Sequence, residues 1–577
     1  MTANPRMFLW IALAFLLLLN YQAWMADHPP QGATPATQSA PGAQGPDTAR
    51  DTLSTAIPKA DAPTSGDATA AATSGTAQAG VPAVASSEPA ATAAAPGRSD
   101  ETVHVRTDVL DLQIGLTGGT IERADLPRYP KVKGGAELVR LMNRDSPTTL
   151  YLLESGLTGP ADSKRPTHLA EFTTTQREFD LGNAAELRVP LRWTDANGVE
   201  VTKTFTFRRG EYRVDLEYEV ANHSGMPWDA AAYAQILRND PKVERSLITT
   251  NVENYAFHGP AIWDGAKYRK LDMEDEEDRR TIEVTNGWIA ALQHHFVGAI
   301  VPPKDEPFKL TLSSRGREYV IVAVAKTMRR IDSGANGAFH QTLFVGPKLQ
   351  AQLEKAGPRL ELVADYGKLT LLAKPLFWLL GKVHGVLGNW GWAIVVVTFL
   401  LKLLFYPLSE ASGKSMAKMK NLAPRIKNLQ EQHKGDREKQ GKAMMELYQR
   451  EKVNPVAGCL PMIVQIPVFL AFYWVLLESV EMRQAPFMLW INDLSSKDPF
   501  FILPLIMAVA MFISFKLQPT PADPVQAKVF MVMPIAMSAM FALFPAGLVL
   551  YWVTNTVLQI AQQWNINRRI VRDSKTT

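Results

Sequence analysis

The first hydrophobic feature of the chain is a leucine-rich run near the N-terminus, from Phe8 to Leu19. Arg6 precedes this run, and Asp27 follows it after a short further stretch. A cleaved signal peptide needs small residues just before the cleavage site, and the large residues at 22, 24 and 25 spoil such a site. We therefore predict that residues 1–27 form an uncleaved membrane anchor, with a cleaved signal peptide as the alternative. Because a basic residue precedes the run, the N-terminus is predicted to be cytoplasmic and the next segment to be exported.

Beyond the anchor, a polar stretch is followed by a stretch in which apolar and polar residues alternate. Residues 28–100 are almost wholly Ala, Pro, Thr, Ser, Gly and Gln, so they bury too little apolar surface to fold, and we predict a disordered linker. Residues 101–365 instead show short runs in which apolar and polar residues alternate, as on either side of a turn at Gly210. Alternation of period two is typical of half-buried strands. These runs predict one all-β sandwich domain.

From residue 366 onward, apolar residues recur at helical spacing. Residues 366–388 carry leucines on one side with lysines between them, which predicts an amphipathic helix lying at the membrane interface. Five longer apolar segments follow, at residues 389–408, 457–482, 499–516, 528–545 and 546–565. Together with the N-terminal anchor they predict six membrane spans. The predicted fold class is therefore a polytopic α-helical membrane protein with an all-β domain.

The segments between the spans differ in charge, and this difference orients the protein. Residues 409–456 contain eleven Lys or Arg against six acids, and residues 566–577 add three arginines, so both belong in the cytoplasm. Residues 517–527 form a further cytoplasmic loop. Residues 483–498 are nearly balanced in charge and belong outside. Both termini are thus predicted to be cytoplasmic, with the β domain on the exported side of the membrane.

The composition excludes several kinds of chemistry. A net charge of +4 over 577 residues does not indicate a nucleic-acid-binding body. Cys459 is the only cysteine, so no intramolecular disulfide and no cysteine-based metal site can form. We interpret the acidic stretch from Asp272 to Asp278 as a solvated loop. His294 and His295 would point to opposite faces of a strand, so we interpret them as structural and predict no metal site, no cofactor and no catalytic cluster.

The basic segment between the second and third spans predicts a helical hairpin that is broken near Gly435. Methionines recur on the facing sides of its two helices. They either close a solvated arm or form a landing site for ribosomes or nascent chains, because flexible Met side chains accept varied apolar partners. The candidate contact residues are Met416, Met419, Met444 and Met445.

The sharpest candidate for function is Lys402, which places an ammonium within an apolar span. Its insertion costs about 2.5 to 3.5 kcal/mol, so something must offset that cost. Lys402 could snorkel to the cytoplasmic surface, roughly 6 to 8 Å away along the helix. Against this, Thr398 lies one turn earlier on the same face, and amides in other spans indicate a shared wet cavity. The remaining candidates for this groove are Gln465, Trp552, Asn555 and Gln559.

Three stretches of the membrane half resemble one known family. They are Lys452-Val-Asn-Pro-Val-Ala-Gly-Cys-Leu-Pro-Met-Ile-Val-Gln-Ile-Pro467, Arg483-Gln-Ala-Pro-Phe-Met-Leu-Trp-Ile-Asn-Asp-Leu494 and Phe544-Pro-Ala-Gly-Leu-Val-Leu-Tyr551. These motifs resemble the membrane core of the YidC family of insertases, and the anchor, linker and exported domain resemble its Gram-negative form. The resemblance implies five core helices around a hydrophilic groove that is closed toward the periplasm. It also implies a periplasmic supersandwich similar to sugar-binding proteins.

The resemblance further implies a function and partners. Members insert and fold nascent inner-membrane proteins in the phospholipid bilayer, alone or with the translocon SecYEG, its accessory SecDF, ribosomes and the signal-recognition receptor. In this picture Lys402 is the groove cation, where the family usually has Arg, so bidentate pairing is lost, and Trp552 replaces a Tyr of close relatives. A P-loop is incomplete at Gly413, because Leu408 stands where its first glycine is required, so we predict no nucleotide binding and no enzyme activity.

Two other classes of protein compete with this interpretation. A secondary transporter that uses Lys402 in an intramembrane anion site predicts inverted repeats, and we find none in the sequence. A membrane-anchored periplasmic carbohydrate-binding protein or enzyme would be favoured by a paired-carboxylate site, and no such constellation is recognisable in the β domain.

Overall fold

The computed structural model describes residues 53–62, 101–160, 164–240, 257–433, 436–451, 460–517 and 524–576. These residues divide into two compact units. The β unit contains the described residues up to Thr370 together with Trp474–Ala485. The helical unit contains those of Leu371–Tyr473 and Pro486–Thr577. The predicted anchor, residues 1–27, lies outside the described residues.

The β unit is built from strands, as the alternating pattern predicts. Its described residues form nineteen strands, β1–β19, in one sheet of 11 strands and one of 8. In chain order the strands are Thr102–Arg106, Asp111–Gly115, Thr120–Pro130, Leu138–Met142, Tyr151–Thr158, Glu178–Asp180, Glu186–Thr194, Val199–Arg208, Arg213–Asn222, Trp228–Asn239, Gly259–Trp263, Tyr268–Lys270, Ile282–Thr285, Trp288–Leu292, Phe296–Val301, Pro307–Arg315, Glu318–Ala325, Arg329–Ile331 and Asn336–Pro347. The all-β prediction is confirmed.

The two sheets pack their inward-facing residues into one core. The larger sheet runs in the order β13-β16-β17-β10-β5-β3-β2-β1-β6, with β18 beside β10 and β4 beside β3. The smaller sheet runs in the order β12-β11-β14-β15-β19-β9-β8-β7. The predicted hairpin is β8–β9, in which Phe205 lies opposite Leu216. Gly210 turns the chain between these strands at a φ of 75°, which glycine adopts without steric cost.

Within the β unit, two adjacent histidines contact residues 474–485. His294 and His295 each direct Nε2 at the carbonyl oxygen of Leu477, at 2.8 and 3.3 Å. Their rings stack with centroids 3.7 Å apart. The expectation that they point to opposite faces is wrong, because they lie in the turn between β14 and β15 rather than within a strand. Burial lowers the pKa of His294 to about 3 and holds the pKa of His295 well below its usual value.

Residues 53–62 differ from the disorder that the composition of residues 28–100 predicts. They lie against the larger sheet, where Leu53 joins an apolar cluster and the Pro58 carbonyl oxygen accepts from Thr158 at 2.6 Å. A few specific contacts stabilise this segment. The overall composition of the predicted linker does not show where such contacts form. The rest of the predicted linker lies outside the described residues.

The described helices, α1–α9, are Gln350–Ala356, Thr370–Leu387, Trp390–Leu404, Tyr406–Gln432, Arg437–Arg450, Leu460–Glu478, Ile502–Leu517, Pro524–Phe541 and Ala546–Thr576. In the helical unit α9 packs against α3, α4 and α7, and α7 packs against α8. α2 lies within residues 366–388, where the sequence predicts an amphipathic helix, and it has Ala373, Leu376 and Leu380 buried on one side and Trp378 exposed on another. Its position at the membrane interface stays a prediction. α9 continues past residue 565, where the sequence predicts the last span to end.

By length and apolar composition, no helix in the described ranges suffices to cross a bilayer alone. Trp390–Leu404 and Tyr406–Ser415 satisfy the criterion as a pair, but they are bent by 62°. The bend falls beside Pro407 in the first turn of α4, where the missing proline N–H is tolerated. The shorter apolar helices are Ile463–Glu478, Ile502–Leu517 and Met531–Phe541. The six spans and the five-helix core stay predictions.

The helical unit exposes many large apolar side chains. Leu403 of α3, Leu505 of α7 and Ile535 of α8 are 60%, 64% and 69% exposed. Extensive apolar surface is rare on soluble monomers and is typical of helices that contact lipid or an apolar partner.

Candidate functional site

Lys402 lies on the buried face of α3. Ile394, Thr398 and Lys402 are spaced four residues apart, so their side chains follow one another along the same face. Thr398 is 1% exposed, and its hydroxyl donates to the carbonyl oxygen of Ile394 at 2.6 Å. Lys402 is 8% exposed, whereas Phe399 and Leu403 on the other side of the helix are exposed. The polar stripe expected from the sequence therefore faces the interior of the helical unit.

The Lys402 ammonium has no partner in the described part of the chain. No acidic side chain there forms an ion pair with Nζ, and no oxygen there accepts a hydrogen bond from it. A buried cation without an acceptor is costly unless water or an anion reaches it. The arrangement is therefore chemically suited to hold an anionic or strongly polar group.

Trp552 lies in an aromatic cluster where three helices meet. Its ring contacts Phe469 of α6 edge-on, with centroids 4.6 Å apart, and Phe541 of α8 at 5.1 Å. On α6, Gln465 is half-buried one turn before Phe469 and so shares its face. The sequence analysis did not identify Phe469 and Phe541 as neighbours of Trp552, although the aromatic-rich stretch of α6 was a signal of such a cluster. Trp552 thus connects α9 to both neighbouring helices.

Further polar side chains continue along α9. Asn555 is half-buried and Gln559 is exposed. Two turns after Asn555, the side-chain nitrogen of Gln562 is buried and has no acceptor among the described residues. Such groups are usually satisfied by water. The packing brings α3 and α9 together, but within the described residues no hydrogen bond joins Lys402 to these amides.

The segment at residues 486–498 contacts the cap of one helix and supplies a capping side chain to a second, which the sequence analysis did not identify. Asn389 accepts from the Trp392 N–H at 3.0 Å and donates to the Phe487 carbonyl at 2.8 Å. Asp498 is 1% exposed and accepts from the Leu503 N–H at 2.6 Å. Asn389 stands directly before α3, which is the sequence signal of an N-cap, whereas Asp498 lies four residues before Ile502, the first residue of α7.

The same segment also closes the start of α9. The backbone N–H groups of Ala546 and Gly547 donate to the carbonyl oxygens of Ser496 and Leu494, at 2.7 and 2.9 Å. Helix N-termini leave N–H groups without intrahelical partners, and here the chain itself supplies the acceptors. The N-terminal ends of α3, α7 and α9 are thereby held by one packed segment in which Leu494 is buried.

The predicted hairpin is formed by α4 and α5. Met419 and Met444 pack against a small core of Leu422, Ile426 and Leu447 between the two helices. Met445 is half-buried outside this core, and the side chain of Met416 lies outside the described residues. Packing of Met419 and Met444 agrees with a role in closing the hairpin, and a contact with clients or ribosomes stays a prediction.

Comparison with known proteins identifies the family on both units. Residues 102–379 match the family model described as the YidC periplasmic domain, and residues 382–573 match the model described as 60Kd inner membrane protein. The chain is 42% identical to the membrane protein insertase YidC of Thioalkalivibrio sulfidiphilus, with 99% of both chains covered. The chain belongs to the YidC family. The YidC of Cupriavidus necator is 43% identical, with 98% of this chain and 97% of the relative covered.

Membership of the YidC family confirms the resemblance found in the sequence. The protein is an inner-membrane protein with a periplasmic domain, which is the β unit. A crystal structure of an active YidC insertase covers 80% of this chain at a TM-score of 0.35 and 19% identity. A TM-score this low does not support a residue-by-residue comparison of the two structures.

Proposed function

We propose that this protein inserts newly made proteins into the inner membrane, and that the Lys402 face of α3 receives the polar tail of each client. The observation that carries the proposal is a buried ammonium, beside Thr398, that has no acceptor among the residues the structure describes, in a unit with an apolar exterior. The relatives are named membrane protein insertases, which supports the activity.

In this mechanism the charge at Lys402 attracts an acidic or polar client tail from the cytoplasm. The attraction is strong because the surroundings have a low dielectric constant. The apolar span of the client lies along exposed side chains such as Phe399 and Leu403 and then partitions into lipid. Burial of the client span supplies the driving force, so the step needs no nucleotide and no covalent chemistry.

The proposal includes a groove that is closed on the periplasmic side. Hydrogen bonds between residues 486–498 and the N-terminal ends of α3, α7 and α9 support this, because backbone groups that are satisfied within the protein need no water there. The proposal also includes a topology of six membrane spans. Five of the spans surround the groove, and both termini lie in the cytoplasm. Joint work with SecYEG, SecDF, ribosomes and the signal-recognition receptor rests on the family resemblance.

The test uses purified protein in liposomes and a two-span client made by cell-free translation, with protease protection as the readout. For a client with an acidic tail, we expect Lys402→Ala to lower the insertion rate by roughly five- to tenfold, because a charge contribution of about 1 to 1.4 kcal/mol is lost. Lys402→Arg should retain most of the rate, because it keeps the charge.

Two controls make the test specific. Lys516→Ala removes a lysine from the last turn of α7 and should leave insertion unchanged. A client whose tail is neutral should be less sensitive to Lys402→Ala than the acidic client. Equal insertion of the acidic client by the wild type, Lys402→Ala and Lys402→Arg would rule out a required groove charge.

A further inference from the structure

The outer face of the larger sheet is buried, although it points away from the sandwich core. On β5, β10 and β17 this face carries the outer cluster, Leu152, Leu237 and Val320, and each of these side chains is at most 4% exposed. The outer face of an antiparallel sheet is commonly solvated, so something must cover it. Residues 53–62 and the loop around His168 contribute to that cover.

The first half of the segment makes both apolar and polar contacts. Leu53 packs on the outer cluster. The carbonyl oxygen of Ser54 accepts from Nε2 of His168 at 2.9 Å. His168 is held in place by Tyr233, whose hydroxyl lies 2.6 Å from Nδ1 and accepts from the His168 backbone N–H at 2.9 Å. Because Nε2 carries the proton, Nδ1 accepts from the Tyr233 hydroxyl.

The second half of the segment is bound through its backbone and one carboxylate. Thr158 donates to the Pro58 carbonyl oxygen at 2.6 Å. Asp61 pairs with the chain beyond β17 like an added parallel strand, with backbone hydrogen bonds of 2.8 and 3.0 Å to residues 326 and 328. Its carboxylate accepts from Lys309 Nζ at 2.6 Å. The side chain of Ile57 is 44% exposed, so apolar content alone does not determine the binding.

These contacts spread the segment over the larger sheet. Leu53 and Ser54 are helical, residues 56–60 have no regular secondary structure, and Asp61 forms a β-bridge. Leu53 packs on the outer cluster, and the Pro58 carbonyl oxygen accepts from Thr158 at the end of β5. A bound peptide of this kind is recognised by backbone hydrogen bonds and by a few side chains.

We propose that the outer face of the larger sheet is a binding surface for a peptide segment, and that its occupant is residues 53–62 of the same chain. The surface selects an apolar residue at position 53 and an acidic residue eight positions later. The bound segment attaches the predicted linker to the larger sheet part-way along the length of the linker.

Binding of residues 53–62 to the sheet shortens the free part of the predicted linker, and this limits how far the periplasmic domain moves from the predicted N-terminal anchor. A flexible chain as long as residues 28–100 has a root-mean-square reach of roughly 47 Å, but a chain as long as residues 28–52 reaches only roughly 28 Å. The segment therefore keeps the periplasmic domain closer to the first predicted span than the whole linker would.

Trypsin provides the test, because Lys59 lies within the bound segment. The rate of cleavage after Lys59 is measured in the full-length protein and divided by the rate in a synthetic peptide of residues 51–70. Proteolysis requires local release of the segment, so we expect cleavage in the protein to be at least tenfold slower. The double variant Leu53→Ser/Asp61→Ala, compared with a peptide of its own sequence, should lose this protection.

The matched control is Val81→Ser/Asp67→Ala, which makes the same chemical changes elsewhere in the predicted linker. It should remain as protected as the wild type. Single copies in nanodiscs test whether the occupant comes from the same chain, and protection should persist there.

Three results would overturn the proposal. The first is cleavage after Lys59 at the peptide rate in the wild type. The second is unchanged protection in the Leu53→Ser/Asp61→Ala variant. The third is protection that disappears in single-copy nanodiscs, which would assign the occupant to a second copy of the chain.

Discussion

At the scale of single residues, two buried lysines show opposite arrangements. Lys203 in the core of the β unit donates to the carbonyl oxygens of Gly118, Gly119 and Ser155, at 2.7, 3.0 and 3.1 Å. Burial lowers the pKa of Lys203, while these three acceptors stabilise its protonated form. Lys402 has no acceptor within the described residues. Lys203 is therefore a structural residue, and Lys402 remains available for a ligand.

The two stacked histidines predict a pH dependence of stability. The pKa of each is lowered, chiefly by burial and further by the nearby charges of Lys348 and Arg483. Because the unfolded chain binds protons that the folded protein excludes, stability should be full above pH about 6.5 and should fall as the pH decreases. The expected slope is up to about 1.4 kcal/mol per pH unit for each histidine. Thermal unfolding of the full-length protein at pH 7.5, 6.5 and 5.5 measures it.

Replacing one histidine separates this effect from general acid sensitivity. His294→Phe keeps a ring that can stack on His295 and removes one titrating group. The variant should lose less stability between pH 7.5 and pH 5.5 than the wild type does. A wild-type protein whose unfolding temperature does not change over this range would contradict the assignment of neutral buried rings.

At the scale of elements, the close packing of α3 against residues 486–498 depends on one glycine. A Cβ on Gly391 would lie 2.1 Å from a ring carbon of Phe487, far inside van der Waals contact. The same ring packs against Trp392 with centroids 5.3 Å apart, so it cannot move without disturbing a second contact. Gly391 is thus required where the N-terminal end of α3 meets the capping segment.

Gly391→Ala should therefore destabilise the helical unit by about 1 to 3 kcal/mol, the usual cost of overpacking a well-filled site. Gly381→Ala is the matched control in α2, because its Cβ would meet no atom within 4 Å. Removing a helical glycine there should be neutral or stabilise by up to about 1 kcal/mol. Thermal unfolding in detergent compares the two variants, and equal unfolding temperatures would show that Phe487 adapts without cost.

At the scale of the whole molecule, all groove candidates lie in the helical unit. We therefore expect a variant that lacks residues 28–340 to insert clients in liposomes. The variant should be less stable, because Leu476, Leu477 and Val480 are buried within the β unit and would lose much of their cover. Protease protection of the client and thermal unfolding measure the two effects.

A shorter deletion provides the control for this prediction. Removing residues 63–80 leaves the strands, residues 53–62 and residues 474–485 in place, so both insertion and stability should match the wild type. Loss of insertion by a folded protein without residues 28–340 would assign an essential role to the periplasmic domain.

The sequence by itself determined the features that depend on local pattern. Alternation predicted the β8–β9 hairpin, helical spacing predicted α2, and an ammonium in an apolar run singled out Lys402. Each of these follows from side chains that are close along the chain, where the period of the element decides which face they share.

Only the tertiary structure decided which distant groups meet. It placed His294 and His295 on one carbonyl, Trp552 between Phe469 and Phe541, and residues 53–62 on the larger sheet. It also showed that Lys203 has acceptors and Lys402 has none within the described residues. These facts depend on contacts between residues far apart in sequence, and no local period encodes such contacts.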